Sequence, residues 1–276
     1  MSVYLIDCKN SIGMNTMSLS RWLIIILSLV LIFGACERVV ETLPQTDWTY
    51  YPIVENNYRV YQIDSMVYDE YNCTIQTNSY QIKEVTGTAI TDGEGQTAHR
   101  VERYWRAVDG DPWVLVGVWS EKREYNQVQR VEDNQRFVKM VFPVNKSKEW
   151  NGITYIRRDT LVPIRGGTID LYKDWEMFSY QNVGASYLDT TSSINYPETV
   201  QVLQVDKTNN IERRYSIEVY AKGIGLVYKE MRILDSQCRT PRCVGTSDIA
   251  QCIGTPWEIK AEKGYILKQS LMDHNY

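Results

Sequence analysis

Histidine is nearly missing from this chain. Only His99 and His274 occur in 276 residues, and neither has a serine or cysteine neighbour in the setting of a nucleophile elbow. The Gly-x-Ser-x-Gly signature is absent as well, so the local pattern that announces a serine hydrolase is not there. A Ser-His-Asp triad brought together only by the fold is the least favoured reading. Basic excess is missing too. Thirty Lys and Arg stand against 34 Asp and Glu, for a net charge of −4, and the basic residues are dispersed, which leaves no nucleic-acid footprint. Metal patterns fail in turn. Cys238-x4-Cys243-x8-Cys252 is not a zinc spacing, and Asp92-Gly93-Glu94-Gly95 lacks the spaced ligands of a calcium loop, so it reads as a hairpin turn. Paired carboxylates of the glycosidase kind cannot be singled out, because most acids fall on alternating strands and read as solvated faces. No cofactor is expected, and the chain is read as a non-enzyme.

Long apolar runs are scarce, with one exception at the start. Trp22 to Phe33 is apolar apart from Ser28, follows Arg21, and ends in Leu31-Ile32-Phe33-Gly34-Ala35-Cys36. Twelve residues fall short of the roughly 20 that a membrane-spanning helix needs. Behind a basic residue near the N-terminus, such a run suits an export signal. Gly34-Ala35-Cys36 looks like a lipobox, although Phe33 stands where leucine is usual. The expectation is a signal peptide over 1–35, with Met14 and Met17 as alternative starts. Cys36 then carries diacylglycerol and palmitate, because a single acyl chain anchors only marginally. Residues 36–46 form a lipid-anchored tether and 47–276 a single β-rich domain. The expected place is the outer membrane facing the periplasm, with the cell surface as the alternative.

With Cys8 in the signal segment and Cys36 on the lipid set aside, four thiols remain: Cys73, Cys238, Cys243 and Cys252. An even number in an oxidising compartment implies two disulfides. One should be local among the late three and one should join Cys73 to the remaining one, with the choice left open. Tyr, Val, Ile, Thr and Trp dominate the domain, and they favour a pleated, half-buried surface. Arg100 to Val108 alternates, Asp109-Gly110-Asp111-Pro112 supplies a turn, and Trp113 to Trp119 returns, which predicts a hairpin. Arg136 to Phe142 reads as a strand. Thr199 to Val205 and Ile211 to Val219 flank the polar loop Asp206 to Asn210. Gly225 to Leu234 and Gly264 to Leu271 form a last pair. Leu171 to Tyr180 suits a short helix; Glu212 to Ala221 suits either a helix or a strand. The fold class is mainly β: one antiparallel curved sheet, as an open barrel or sandwich, with one or two short helices.

Two stretches stand out: Val131 to Pro143 followed by Trp150-Asn151-Gly152, and Glu218-Val219-Tyr220-Ala221-Lys222-Gly223-Ile224-Gly225-Leu226-Val227-Tyr228-Lys229-Glu230. With Tyr51-Pro52 and Tyr61 to Ser65, they resemble a family of Bacteroidetes lipoproteins that brings no assigned activity with it. Read by themselves, Gly223 and Gly225 mark a sharp corner in a sheet. Leu226 and Tyr228 would leave that corner on one face, and Val227 and Lys229 on the other. Trp150-Asn151-Gly152 reads as a turn with a packed indole. Ser65, Thr160 and Thr190 each follow an aspartate, as in the O-glycosylation acceptor of exported Bacteroidetes proteins.

Three functions compete. The first is a binding or carrier module that holds a hydrophobic ligand against an aromatic-lined face. The second is an accessory protein docked to an envelope partner, marked by an exposed apolar patch. An envelope-polymer hydrolase ranks last. The expected partners are the membrane, through Cys36, and either a hydrophobic ligand or an envelope protein, with no nucleic acid.

Overall fold

The computed structural model describes residues 48–175 and 177–276. The signal segment, Cys36 and the tether lie outside the described residues. A 3-10 turn at Trp48–Tyr50 leads into the strands β1 (Tyr58–Asp69), β2 (Thr74–Thr91), β3 (Thr97–Arg106), β4 (Val114–Glu124), β5 (Gln127–Glu132), β6 (Gln135–Val141) and β7 (Glu149–Trp150). A small separate hairpin follows, β8 (Leu161–Ile164) with β9 (Gly167–Asp170). Then come β10 (Phe178–Asp189), β11 (Ile194–Thr208), β12 (Glu212–Ala221) and β13 (Gly225–Asp235). Three short helices, α1 (Pro241–Val244), α2 (Ile249–Gly254) and α3 (Trp257–Lys260), precede the last strand, β14 (Lys263–His274).

Twelve strands form one antiparallel sheet in the order β6-β5-β4-β3-β2-β1-β14-β13-β12-β11-β10-β7. Nearly every neighbour is a hairpin partner, as short turns between alternating strands dictate. The one distant pairing sits at the centre, where β1 runs against β14 from Arg59↔His274 to Tyr68↔Gly264. The predicted hairpin around Asp109 to Pro112 is β3 and β4, and the loop near Asp206 to Asn210 joins β11 to β12. Asp92 to Gly95 is the β2–β3 turn; the Asp92 carboxylate accepts from the Glu94 and Gln96 amides.

The sheet curls until its two end strands almost meet, giving a nearly closed barrel. Val138 of β6 donates its N–H to the Gly152 carbonyl at 2.9 Å, just beyond β7. The Trp150 indole N–H donates to the Val138 carbonyl at 2.8 Å. Tyr180 of β10 receives the Val141 N–H at 3.0 Å and donates its hydroxyl to the Val141 carbonyl at 2.6 Å. Trp150, Phe178 and Tyr180 pack together along this seam. Gly152 is the residue that fits here, since a Cβ would stand 2.1 Å from the Phe178 ring. Trp150-Asn151-Gly152 is thus a turn with a buried indole, as its sequence suggests.

Two expectations need correction. Leu171 to Tyr180 is not a helix. Tyr172 and Trp175 bracket a turn closed by Trp175 N–H to Tyr172 carbonyl, and β10 begins at Phe178. The helix-like spacing of Leu171, Tyr172, Trp175 and Phe178 reflects four side chains buried in one core. Glu212 to Ala221 is a strand throughout. The corner at Gly223 and Gly225 is real, with φ of 81° and 93°, values that suit glycine. However, the register shifts there: Tyr220 faces Leu226, and Val219 faces Tyr228. Val227 is the extra residue of a β-bulge, so Leu226 and Tyr228 leave on opposite faces, not on the same one.

Between β13 and β14 the chain makes an excursion held by disulfides. Cys238 bonds Cys252 within it, and Cys243 bonds Cys73 at the start of β2, with Cα separations of 5.9 and 4.7 Å. The Asp248 carboxylate caps α2 by accepting from Ala250 and Gln251.

Candidate functional site

Strand register determines what the barrel encloses. Residues directly opposite in an antiparallel pair share a face, and five such pairs carry charge inward: Arg59↔Glu84, Glu84↔Arg103, Glu121↔Arg130, Glu218↔Lys229 and Lys229↔Gln269. Closure of the sheet turns these positions toward one another. Arg130 reaches Glu84 at 2.6 Å, Glu121 at 3.4 Å and Glu132 at 3.4 Å. Arg103 lies 3.2 Å from Glu84 and stacks 3.6 Å from the centre of the Trp119 ring. Lys139 bridges Glu218 at 2.7 Å and Glu132 at 2.9 Å. Tyr220 and Tyr51 donate their hydroxyls to Glu218 and Glu121, at 2.6 and 3.0 Å. Arg59 is held by the carbonyls of Ile224 and Pro52.

Burial alone would raise these carboxyls, yet the network reverses that. At Glu84 burial pushes the pKa up, while Arg130 and Arg103 bring it below the usual carboxylate value. Burial likewise opposes, and Lys139 and Lys229 together overcome, at Glu132 and Glu218, which both titrate low. Lys139 is raised by Glu132 and Glu218 against its own burial. The Tyr51 and Tyr220 hydroxyls are pushed well up, first by burial and then by the adjacent Glu121 and Glu218. The carboxyls of Glu84, Glu132 and Glu218 are therefore ionised at neutral pH, and the Tyr51 and Tyr220 hydroxyls protonated.

Beside this wall lies a cleft of about 400 Å³. Phe137, Leu171, Tyr172, Trp175, Met231, Tyr265 and Leu267 give it an apolar side, while Arg103, Glu132, Lys139, Lys229 and Gln269 give it a charged one. Trp119, Glu132, Lys139, Lys229 and Gln269 also line a cavity of about 20 Å³ inside the network, so they form the partition between the two. The arrangement is amphipathic. It offers a greasy surface against a fixed array of charges, with no cysteine or serine on its lining. Among the described residues no group of three or more His, Cys, Asp or Glu is placed to hold a metal ion.

The residues singled out from sequence lie elsewhere. Cys73, Cys238, Cys243 and Cys252 staple the excursion. Ser65 sits within β1 beside Asn78, Thr160 in the loop before β8, and Thr190 on the exposed turn between β10 and β11. None of these lines the cleft. His99 stands 3.8 Å from Glu55, whereas His274 stacks near Tyr276. The charged wall is what the sequence reading missed, since its acids were assigned to solvated faces. Glu84, Glu121 and Glu218 are instead buried. No local signal marked it: a regular hairpin from Ala221↔Gly225 would set Glu218 against Tyr228, and only the bulge at Val227 brings Lys229 opposite Glu218. The two stretches that carried the resemblance meet at this wall, one supplying Glu132 and Lys139, the other Glu218, Tyr220 and Lys229.

No protein-family model and no curated protein matches this chain. Among solved structures, it is similar to a protein from Bacteroides fragilis with a YmcC-like fold, inferred to be exported. The match has 10% identity and a TM-score of 0.32, and covers 82% of this chain and 98% of the other.

Proposed function

We propose that this protein is an exported lipoprotein, anchored through Cys36 to the outer membrane, whose barrel binds a ligand with an apolar body rather than catalysing a reaction. The cleft supports this reading. Its volume is that of a small-molecule site, and its aromatic side with a few fixed polar groups is the usual composition of one. Most of the charges beside it are held in ion pairs with one another, which suits recognition better than proton transfer. The barrel supplies rigidity and the tether supplies location. The accessory-protein reading has a separate support in Val114, Leu115, Val116 and Val118, which are exposed on the first half of β4. A cleft on the inside of a barrel has no part in such docking, so binding is preferred.

The test uses the full chain in two arms. Cys36→Ser should move the protein from the membrane to the soluble fraction. The neutral fluorophore N-phenyl-1-naphthylamine should brighten on binding the wild type, and Leu267→Trp, which fills the cleft, should weaken it roughly tenfold with the circular dichroism unchanged. Membrane retention after Cys36→Ser would overturn the anchor. A wild type that leaves the fluorophore dark would overturn the binding role.

A further inference from the structure

The charged wall is unevenly engaged, and the unevenness points into the cleft. Inside the barrel Arg59, Arg103, Arg130, Lys139 and Lys229 face four carboxylates, those of Glu84, Glu121, Glu132 and Glu218. A fifth carboxylate, Asp133, also lines the cleft, but at its exposed mouth, where it accepts from the Trp119 indole at 3.0 Å. Water screens it there. Three of the five cations are satisfied at close range: Arg130 and Lys139 make contacts of 2.6 and 2.7 Å, and Arg59 donates to two carbonyls. Arg103 is paired to Glu84 at 3.2 Å and stacked on Trp119, although its buried Nε has no hydrogen-bond partner among the described residues.

Lys229 differs. Its ammonium stands 3.5 Å from Glu218 and 3.9 Å from Glu132, beyond the 2.7–3.2 Å usual for an N–H···O hydrogen bond. Both carboxylates are held more tightly by Lys139. Its side chain keeps 17% of its exposure where that of Lys139 keeps 4%, and it lines the cleft. Its cross-strand neighbour Gln269 lines the cleft as well, and its carboxamide makes no side-chain hydrogen bond among the described residues. A third donor is present: the Trp175 indole N–H, buried on the cleft lining and without a partner among the described residues.

We propose that the ligand is an anionic amphiphile, its carboxylate or phosphate head received by Lys229 and its chain laid against Phe137, Trp175 and Met231. The inference rests on the binding role proposed above and names the class of ligand. A neutral chain entering the cleft would strip water from Lys229 and return nothing, leaving a cation that is costly to desolvate. An anion balances the fifth cation and accepts the donors that face the cleft, in a charge-assisted contact of the stronger kind.

Titration calorimetry at fixed ionic strength tests this with dodecanoate, dodecyl phosphate, dodecanol and dodecyltrimethylammonium. The two anions should bind at least about tenfold tighter than dodecanol, the scale of one charge-assisted hydrogen bond, and the cation should bind weakest. Whichever anion is the tighter identifies the head as carboxylate or phosphate. Lys229→Met should abolish the difference between the anions and dodecanol, weakening the anions while dodecanol binds as well as before or tighter once no cation has to be desolvated, which also shows that the cleft is still folded. Lys229→Arg should keep the anion preference. Equal binding of anions and dodecanol by the wild type would overturn the inference while leaving the binding role intact. So would an anion preference that survives Lys229→Met. Binding of none of the four chains would overturn both.

Discussion

The barrel is held by two regions of opposite character. Along the seam, Trp150, Phe178 and Tyr180 bring β6 and β7 together by packing and by hydrogen bonds to Val138 and Val141. Across the interior, Glu84, Arg130, Glu132, Lys139 and Glu218 form a wall of charge. The seam draws on apolar burial, which stabilises without a partner. The wall does not. Taking ions from water costs several kcal/mol each, and their mutual attraction often only offsets this. A chain selected for stability alone would fill such a wall with aliphatic side chains, as the seam does with aromatics. The wall is therefore better explained by what it presents to the cleft than by what it contributes to folding.

Single substitutions sharpen the contrast. Lys139→Met leaves the Glu132 and Glu218 carboxylates without their nearest cation, and should lower the unfolding free energy by about 4 kcal/mol at pH 7. Urea denaturation measures this, and the penalty should shrink in acid. In the wild type the lowered carboxyls contribute stability that is fully present above the unfolded value of about 4.3. That contribution is lost as the pH falls below it toward their folded values. In the variant burial is opposed only by the more distant Lys229 and, at Glu132, by Arg130, so the same carboxyls take up protons earlier and relieve part of the strain. A Lys139→Met penalty that stays constant from pH 7 to pH 4 would contradict an ionised wall.

Trp150→Phe removes the indole N–H from the Val138 carbonyl while keeping most of the ring. It should cost about 2 kcal/mol, the price of a buried carbonyl left without its donor, and the loss should be equal at pH 7 and pH 5. A loss that changed with pH would show the seam and the wall to be one electrostatic unit. Arg157→Ala sets the lower bound. Its bridge to Asp159 at 2.8 Å is exposed to solvent, and its removal should leave the urea midpoint unchanged. A measurable shift would mean that surface charge carries weight that the interior is assumed to carry.

The strands, the hairpins and the glycine corner were legible because their signals are local. Asp109 to Pro112 is turn chemistry whatever surrounds it, and Gly223 and Gly225 mark a bend by their missing side chains. Cys73 could be assigned to a late cysteine, but choosing Cys243 over its neighbours required the excursion to be folded. The cleft was not legible at all. In β3, alternation puts Arg103 and Arg106 on opposite faces, but only the folded sheet shows that Arg103 is the one that meets Glu84 and Trp119 inside the barrel while Arg106 meets Gln81 and Asp109 on the other face. Which face of an alternating strand is wet depends on which way the sheet curls. That is settled only when Val138 meets Gly152, far from either residue. The bulge at Val227 escaped for the same reason, since it is defined by the partner strand.

The pairing of β1 with β14 has a consequence for how the chain reaches its final form. The N-terminal and C-terminal strands lie side by side in the middle of the sheet, and Tyr58 N–H donates to the Asn275 side chain at 2.6 Å. A polypeptide delivered from its N-terminus thus holds two partial sheets, β1 to β6 and β7 to β13, that have no ladder joining them until the last dozen residues arrive. Loop closure across more than 200 residues makes that step slow, so the two halves become one sheet only after the final strand has been delivered.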